Sequence, residues 1–259
     1  MEEKFATSSL ALKKPSEQTR LSIDIGNTHC KVGIFEDLVL QKVQTGLSLA
    51  QLPEFIRALR PQYSIWSSVR QDSEALMAQI AEMSPLLKLT HATPVPLHNH
   101  YQTPETLGMD RIAAVVGAKT LYPNDDCLVV DLGTCITYDF IDAQNHFWGG
   151  NIAPGVYMRF KAMHHFTAKL PLADVPESWP ADLLGQSTLS AMQAGVMEGI
   201  RFEIEGLRHN LQVPYPKIKL ILTGGDAVFF ETRLKAPIFA VPYLNLIGLN
   251  RILAYNVAF

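Results

Sequence analysis

The chain has 259 residues, 47% of them hydrophobic and 18% charged, with a formal net charge of −3. That is ordinary for a compact globular protein and excludes a disordered one. No run of Lys or Arg supplies a phosphate-backbone footprint, which disfavours a nucleic-acid partner, and no apolar stretch approaches the length of a membrane span. Three cysteines (Cys30, Cys127, Cys135) form no CxxC pair, which suits free thiols in a reducing, cytoplasmic compartment.

Residues 1–20 are polar, mixed in charge and without the apolar core of a signal peptide, and read as a flexible leader. Then "LSIDIG" and "KVGIF" read as apolar strands, "LVLQKVQT" as a third, "LAQLPEFIRALR" as an amphipathic helix, "YSIWSSV" as a strand and "SEALMAQIAEM" as a helix. "LLKLT" is a short strand, "HATPVPLHNHYQTPETLG" a loop and "MDRIAAVVGAKTLY" a helix. The pattern then starts again. "CLVVDLGTCITYDFID" is strand, turn, strand, and "HFWGGNIAP" completes a third strand. Helices "PGVYMRFKAMHHF" and "STLSAMQAGVMEGIRFEIEGLRHNLQ" follow, then strand "KIKLILTGGDA" and helix "NLIGLNRILAYNVA". "IDIGNTHC" and "VDLGTCIT" both end an apolar strand in Asp-x-Gly and continue through Thr into a second strand. About a hundred residues apart, they read as equivalent corners of two duplicated α/β domains, over 21–120 and 121–259.

The chemistry of these corners is that of phosphate binding. Glycine lets a phosphate approach, Asn27 and Thr28 offer donors, and Lys31 adds a point charge. Asp24 and Asp131 end their strands, and a buried carboxylate needs a cation or several donors. A cation held directly or through water would satisfy both; an Asx-type cap of the adjacent turn is the simpler alternative for either one. Asp110 falls where a helix begins, as a capping residue does; beside it Arg111 is placed to hold an anionic substrate, with Asp110 taking a proton from a substrate hydroxyl.

The motifs "DIGNTHCK", "YQTPETLGMDR", "DLGTCITYD", "GGNIAPG", "TAKLP", "GQSTLSAMQAG" and "TGGDA" occur in one order from residue 21 onward. In this the chain resembles the type III pantothenate kinases, ATP-dependent enzymes that phosphorylate pantothenate at the first step of coenzyme A synthesis. The resemblance implies two ribonuclease-H-like domains of the acetate kinase/sugar kinase/Hsp70/actin superfamily, with a nucleotide cleft between them. It implies an ATP loop at Asp24, Ile25, Gly26, Asn27, Thr28, His29, Cys30 and Lys31, with a second contact at Thr134. It implies Asp131 as ligand of a monovalent cation, K⁺ or NH₄⁺, and Mg²⁺ arriving with ATP. Pantothenate contacts fall on Tyr101, Gly108, Met109, Asp110, Arg111 and Thr188, with Asp110 as proton acceptor, and the family's homodimers place Thr188 across an interface. The leader is longer than is usual there, and Cys135 replaces a customary alanine, a change expected to pack without effect.

Weaker signals read more plainly. His98 and His100 are expected in a solvated loop, and His164 and His165 on a helix surface. Gly224-Gly225 ends a strand where the superfamily lays adenosine against backbone. The main alternative to a kinase is a catalytically silent relative that binds nucleotide and regulates transcription.

Overall fold

The computed structural model describes residues 19–26, 30–68, 74–180 and 182–257. The expected leader lies outside these residues up to position 18; its last two residues instead open the first strand. The chain forms two compact units that divide between Lys88 and Leu89.

The first unit holds strands β1 (Thr19–Ile25), β2 (Cys30–Glu36) and β3 (Val39–Leu47), helix α1 (Leu52–Leu59), strand β4 (Tyr63–Ser68), helix α2 (Glu74–Ala81) and strand β5 (Leu86–Lys88). Their sheet order is β3-β2-β1-β4-β5. β1 runs antiparallel to β2 and parallel to β4, and β4 runs parallel to β5. Pro53 at the start of α1 fits the first turn, where a backbone donor is dispensable. Leu52, Ile56 and Leu59 of α1 and Ile80 of α2 bury against Leu21, Ile23, Ile25, Val32 and Trp66 of the sheet.

The second unit repeats this order. It contains β6 (His98–Asn99), α3 (Met109–Leu121), β7 (Cys127–Leu132), β8 (Cys135–Ile141), β9 (His146–Pro154), α4 (Val156–Phe166), α5 (Thr188–Gln212), β10 (Lys219–Thr223), α6 (Ala227–Glu231), β11 (Ile238–Ala240) and α7 (Leu244–Val257). The sheet order β11-β10-β7-β8-β9-β6 matches the first unit, with β7 to β11 in the places of β1 to β5 and β6 added at an edge. This is the duplicated ribonuclease-H-like fold. The even-numbered residues of β7 and β8 (Leu128, Val130, Leu132, Ile136, Tyr138, Phe140) pack on α4 and α5 through Phe160, Met197, Ile200 and Ile204. The odd-numbered ones face α3, as the period of two in a strand requires.

Two sequence expectations need correction here. The boundary expected at 120/121 lies near residue 88, because α3 packs on α7, β7 and β8 and so belongs to the second unit. His98, expected in a solvated loop, is exposed but lies in a strand: it pairs with His146, and its amide donates to Asn145 O at 2.8 Å. A strand of two residues is too short to carry an alternation that sequence reading can detect.

Candidate active site

In the first unit Asp24 is the penultimate residue of β1, opposite Lys31 on β2 and Ser67 on β4. Asp24, Gly26 and Lys31 are half-buried, whereas Ile25 is sunk in the core and offers only its backbone. Cys30 is buried, and burial, with the nearby Asp24 charge adding to it, pushes its thiol up to about 11. It stays a protonated, unreactive thiol at neutral pH. Asn27 and Thr28, the expected donors of the loop, and His29 beside them lie outside the described residues.

The second unit presents the same corner. Asp131 is penultimate in β7, opposite Thr137 on β8 and Thr223 on β10. Asn245 Nδ2 donates to Asp131 Oδ2 at 3.3 Å. Gly224, at φ +94°, turns the chain across the end of β7, where a Cβ would press on Leu132 O and stand 2.6 Å from Asp131 Oδ1. No side chain but glycine fits there. Asp226 N donates to Leu132 O at 3.0 Å, and burial holds the Asp226 carboxyl above its usual range. Gly225 faces open space. Thr134 is exposed, its carbonyl taking the Gly155 amide at 3.0 Å. Cys135, expected to pack like a methyl group, is exposed, because β8 begins at that residue on the rim of the sheet.

The oxygens of Asp131, Thr223 and the neighbouring backbone are hard donors, of the kind that hard cations take. Among the described residues no group of three or more His, Cys, Asp or Glu is arranged to hold a metal ion.

The densest chemistry gathers at the N-terminus of α3. Gly108 caps it, and Met109, half-buried, is its first residue. Asp110 lies in the first turn, where the helix dipole favours a carboxylate. Its Oδ1 accepts the Arg111 amide at 2.9 Å, and a Cβ on Gly108 would collide with that same oxygen. Arg111 is only 4% exposed. Its Nε donates to Asp139 Oδ1 at 3.0 Å and Oδ2 at 3.2 Å, and its Nη2 to Oδ1 at 2.6 Å. Nη1 faces the Tyr101 hydroxyl at 3.5 Å, with the guanidinium carbon 5.3 Å from the Tyr101 ring centre. Tyr101 in turn stacks on Phe147, with ring centres 6.4 Å apart. Two of the three nitrogens of Arg111, the residue expected to hold an anionic substrate, are thus engaged by Asp139, and the third lies beside Tyr101.

Asp139 was not among the expected site residues. It is fully buried on β8, and burial pushes its carboxyl up to about 6 while the Arg111 hydrogen bonds oppose the rise. The signal was present, since an Asp inside the apolar run of β8 requires a cation or several donors. Gly149 is a second omission. Its φ of +90° and the Tyr101 Cδ2 atom 2.9 Å from any Cβ make it the residue that gives Tyr101 room.

The structure thus brings Tyr101, Asp110 and Arg111 together. Thr188 stands exposed as the first residue of α5, within the capping box that Ser187 and Ser190 close. No hydrogen bond joins it to the Arg111 group among the described residues.

The sequence profile of the type III pantothenate kinase family matches residues 20–210. Type III pantothenate kinases from Phocaeicola vulgatus and Cytophaga hutchinsonii are 47% and 46% identical to the chain. Each alignment covers 91% of this chain and 98% of the relative. A relative of the same description from Porphyromonas gingivalis is 40% identical over 92% of this chain and 98% of its own. Among solved structures, a Campylobacter jejuni protein assigned to the Baf family of transcriptional activators is similar at TM-score 0.60 and 26% identity, covering 92% of this chain and all of that one. A Listeria monocytogenes protein assigned as an N-acetylmannosamine kinase shares the fold at TM-score 0.53 and 12% identity, over 92% and 99% of the two chains. The repeated sheet order, the paired Asp corners and the profile match over most of the chain lead to one conclusion: the chain belongs to the type III pantothenate kinase family.

Proposed function

We propose that the chain transfers the γ-phosphoryl group of ATP to the hydroxyl of pantothenate, giving ADP and 4′-phosphopantothenate, the first step of coenzyme A synthesis. The family match carries this reading, since every candidate residue falls within 20–210. Asp110, at the start of α3, takes the hydroxyl proton as the oxygen attacks the γ-phosphorus and ADP leaves. Arg111 Nη1 and the Tyr101 hydroxyl bind the substrate carboxylate, with Gly108 and Met109 shaping the approach and Thr188 contributing from a second subunit of a homodimer. Lys31 and the amides of the 24–31 loop hold the phosphates, with Thr134 as a further contact. Asp131 is the residue suited to a monovalent cation, which when bound offsets phosphate charge; Mg²⁺ accompanies ATP. Catalysis is then positioning and charge neutralisation. Among the described residues no helix is long and apolar enough to cross a membrane.

The test is ADP release by the purified protein with and without pantothenate, in potassium against sodium buffer. Pantothenate-dependent release, faster in potassium, is expected. The likeness to the Campylobacter protein supports a second reading, a nucleotide-binding regulator of transcription. Sequence-selective DNA or polymerase binding with no pantothenate-dependent ADP release would establish that reading instead. Sedimentation of the purified chain as a dimer is expected, and a monomer would remove the role given to Thr188.

A further inference from the structure

The buried pair of Arg111 and Asp139 has no evident value for stability alone. A buried ion pair is often no more stabilising than apolar residues of the same volume, because desolvation offsets the attraction. What a two-pronged carboxylate does supply is orientation, since it fixes the plane of a guanidinium fork. Nε and Nη2 are both engaged by Asp139, so the plane of Arg111 is set, and Nη1, the nitrogen that Asp139 does not hold, is directed to the Tyr101 hydroxyl at 3.5 Å. The sheet prepares this arrangement. Asp139 and Thr137 lie on the face of β8 that α3 covers, and Thr137 is the cross-strand partner of Asp131. Gly149 supplies the space in which Tyr101 stacks on Phe147 and meets the guanidinium edge.

We propose that Asp139 is the positioning residue of the substrate site: it holds Arg111 in the single orientation that directs Nη1, beside Tyr101, at the carboxylate of the phosphoryl acceptor. This rests on the pantothenate kinase reading. It predicts that Asp139 controls acceptor affinity, leaving nucleotide affinity and the phosphoryl-transfer step nearly untouched. The ionisable groups that face Asp139 are Arg111 and Asp110 from α3, with Tyr101 beyond Arg111; its neighbours on β7 and β9 are Val129 and Gly150. Burial raises its carboxyl to about 6, so acid removes the charge that holds the fork. The acceptor's own carboxyl ionises near 4 by comparison with ordinary carboxyl groups, and stays charged over that range.

The experiment is steady-state kinetics with pantothenate and ATP varied separately, for the unmodified protein, Asp139→Asn and Asp139→Glu. Asp139→Asn is expected to raise the pantothenate KM by about tenfold or more, with kcat and the ATP KM within about threefold, as for loss of one partner of a charge-assisted bond. Asp139→Glu, which restores the charge on a longer stem, is expected to fall between the two. In the unmodified protein the pantothenate KM is expected to rise as pH falls from 7.5 to 5.5 while the ATP KM does not, and in Asp139→Asn this dependence disappears. Unchanged pantothenate KM in Asp139→Asn overturns the proposal, as do both KM values and the melting temperature moving together. Should Asp139→Asn fail to fold, the pH series on the unmodified protein decides, and a flat pantothenate KM overturns the proposal. Lack of pantothenate-dependent ADP release by the unmodified protein is a different failure, that of the kinase reading itself.

Discussion

At the scale of single residues, Asp110 and Gly149 carry the most direct consequences. Asp110 has its carboxylate fixed by the Arg111 amide and by a Gly108 that leaves it room, an arrangement that holds it in one orientation at the helix start. Asp110→Asn is expected to lower turnover by about 10²–10⁴-fold, the usual contribution of a general base, with ATP still bound. ADP release together with equilibrium nucleotide binding checks this, and near-normal turnover would remove the assignment. Gly149→Ala adds a methyl group against the Tyr101 ring and forces an L-residue to φ +90°. Strain of about 1–3 kcal/mol follows, relieved by displacing Tyr101. The pantothenate KM is expected to rise more than kcat falls, and a mutant with both constants unchanged would show that the ring position is immaterial. The sequence displayed Asp110 and Tyr101 as parts of one motif. It did not display Asp139 or Gly149 as site residues, because their roles come from neighbours on other elements, 28 positions before Asp139 in the case of Arg111.

At the scale of elements, α3 carries Asp110 and Arg111 at one end of the second unit. Its run Ala113, Ala114, Val115, Val116, Gly117 and Ala118 is buried throughout. It crosses α7 so closely that a Cβ on Gly117 would meet Leu244 O, and one on Gly248 would meet Ala113 O and the Gly117 amide. Gly248→Val therefore forces the helices apart, at about 1–3 kcal/mol by the usual magnitude of overpacking. Thermal melting is expected to shift down. Because Asp110 and Arg111 ride on α3, kcat/KM for pantothenate is expected to fall more than the ATP KM changes. A melting temperature equal to that of the parent would show that the crossing is slack. Six of the helices were legible from their apolar spacing, with boundaries close to the observed ones, whereas the five-residue α6 is too short to show a helical period and was not expected. The pairing of the helices was not legible, and the division of the chain was accordingly read too late, at 120/121 rather than 88/89.

At the scale of the whole molecule, stability depends on pH through groups that pull in opposite directions. Asp139 is raised from 3.8 to about 6, chiefly by burial, and Asp226 is raised by the same cause. A raised carboxyl binds its proton more readily in the folded state, so each favours folding most below about 4 and loses that contribution as pH climbs through the folded value. Asp142 and Glu203 are lowered. Asp142 receives the Trp148 indole N–H and the His146 and Gln144 amides, which outweigh its burial. Glu203 is held down first by Arg159. These two stabilise the fold above the ordinary carboxylate range and lose that contribution as pH falls through their depressed values. The expected melting-temperature profile rises from pH 7 toward 5 and falls below 4, and in Asp139→Asn the rise between 7 and 5 shrinks. A parent profile that falls steadily from 7 would contradict the pH dependence assigned to Asp139.

The sequence by itself determined the two-fold repeat, the Asp-x-Gly corners, the helix that begins at Asp110 and the family. All of these are written in local order, as alternation, turn residues and motifs whose spacing survives without knowledge of the fold. The tertiary structure decided that Asp24 and Asp131 occupy equivalent registers opposite Lys31 and Thr137. It also decided that Arg111 is engaged by Asp139, and that Gly149 and Gly248 are glycines because another backbone or ring occupies the space of a side chain. The physical reason is common to these cases. An ion pair or a close approach between elements is a property of distance in space, and a chain states only distance along itself.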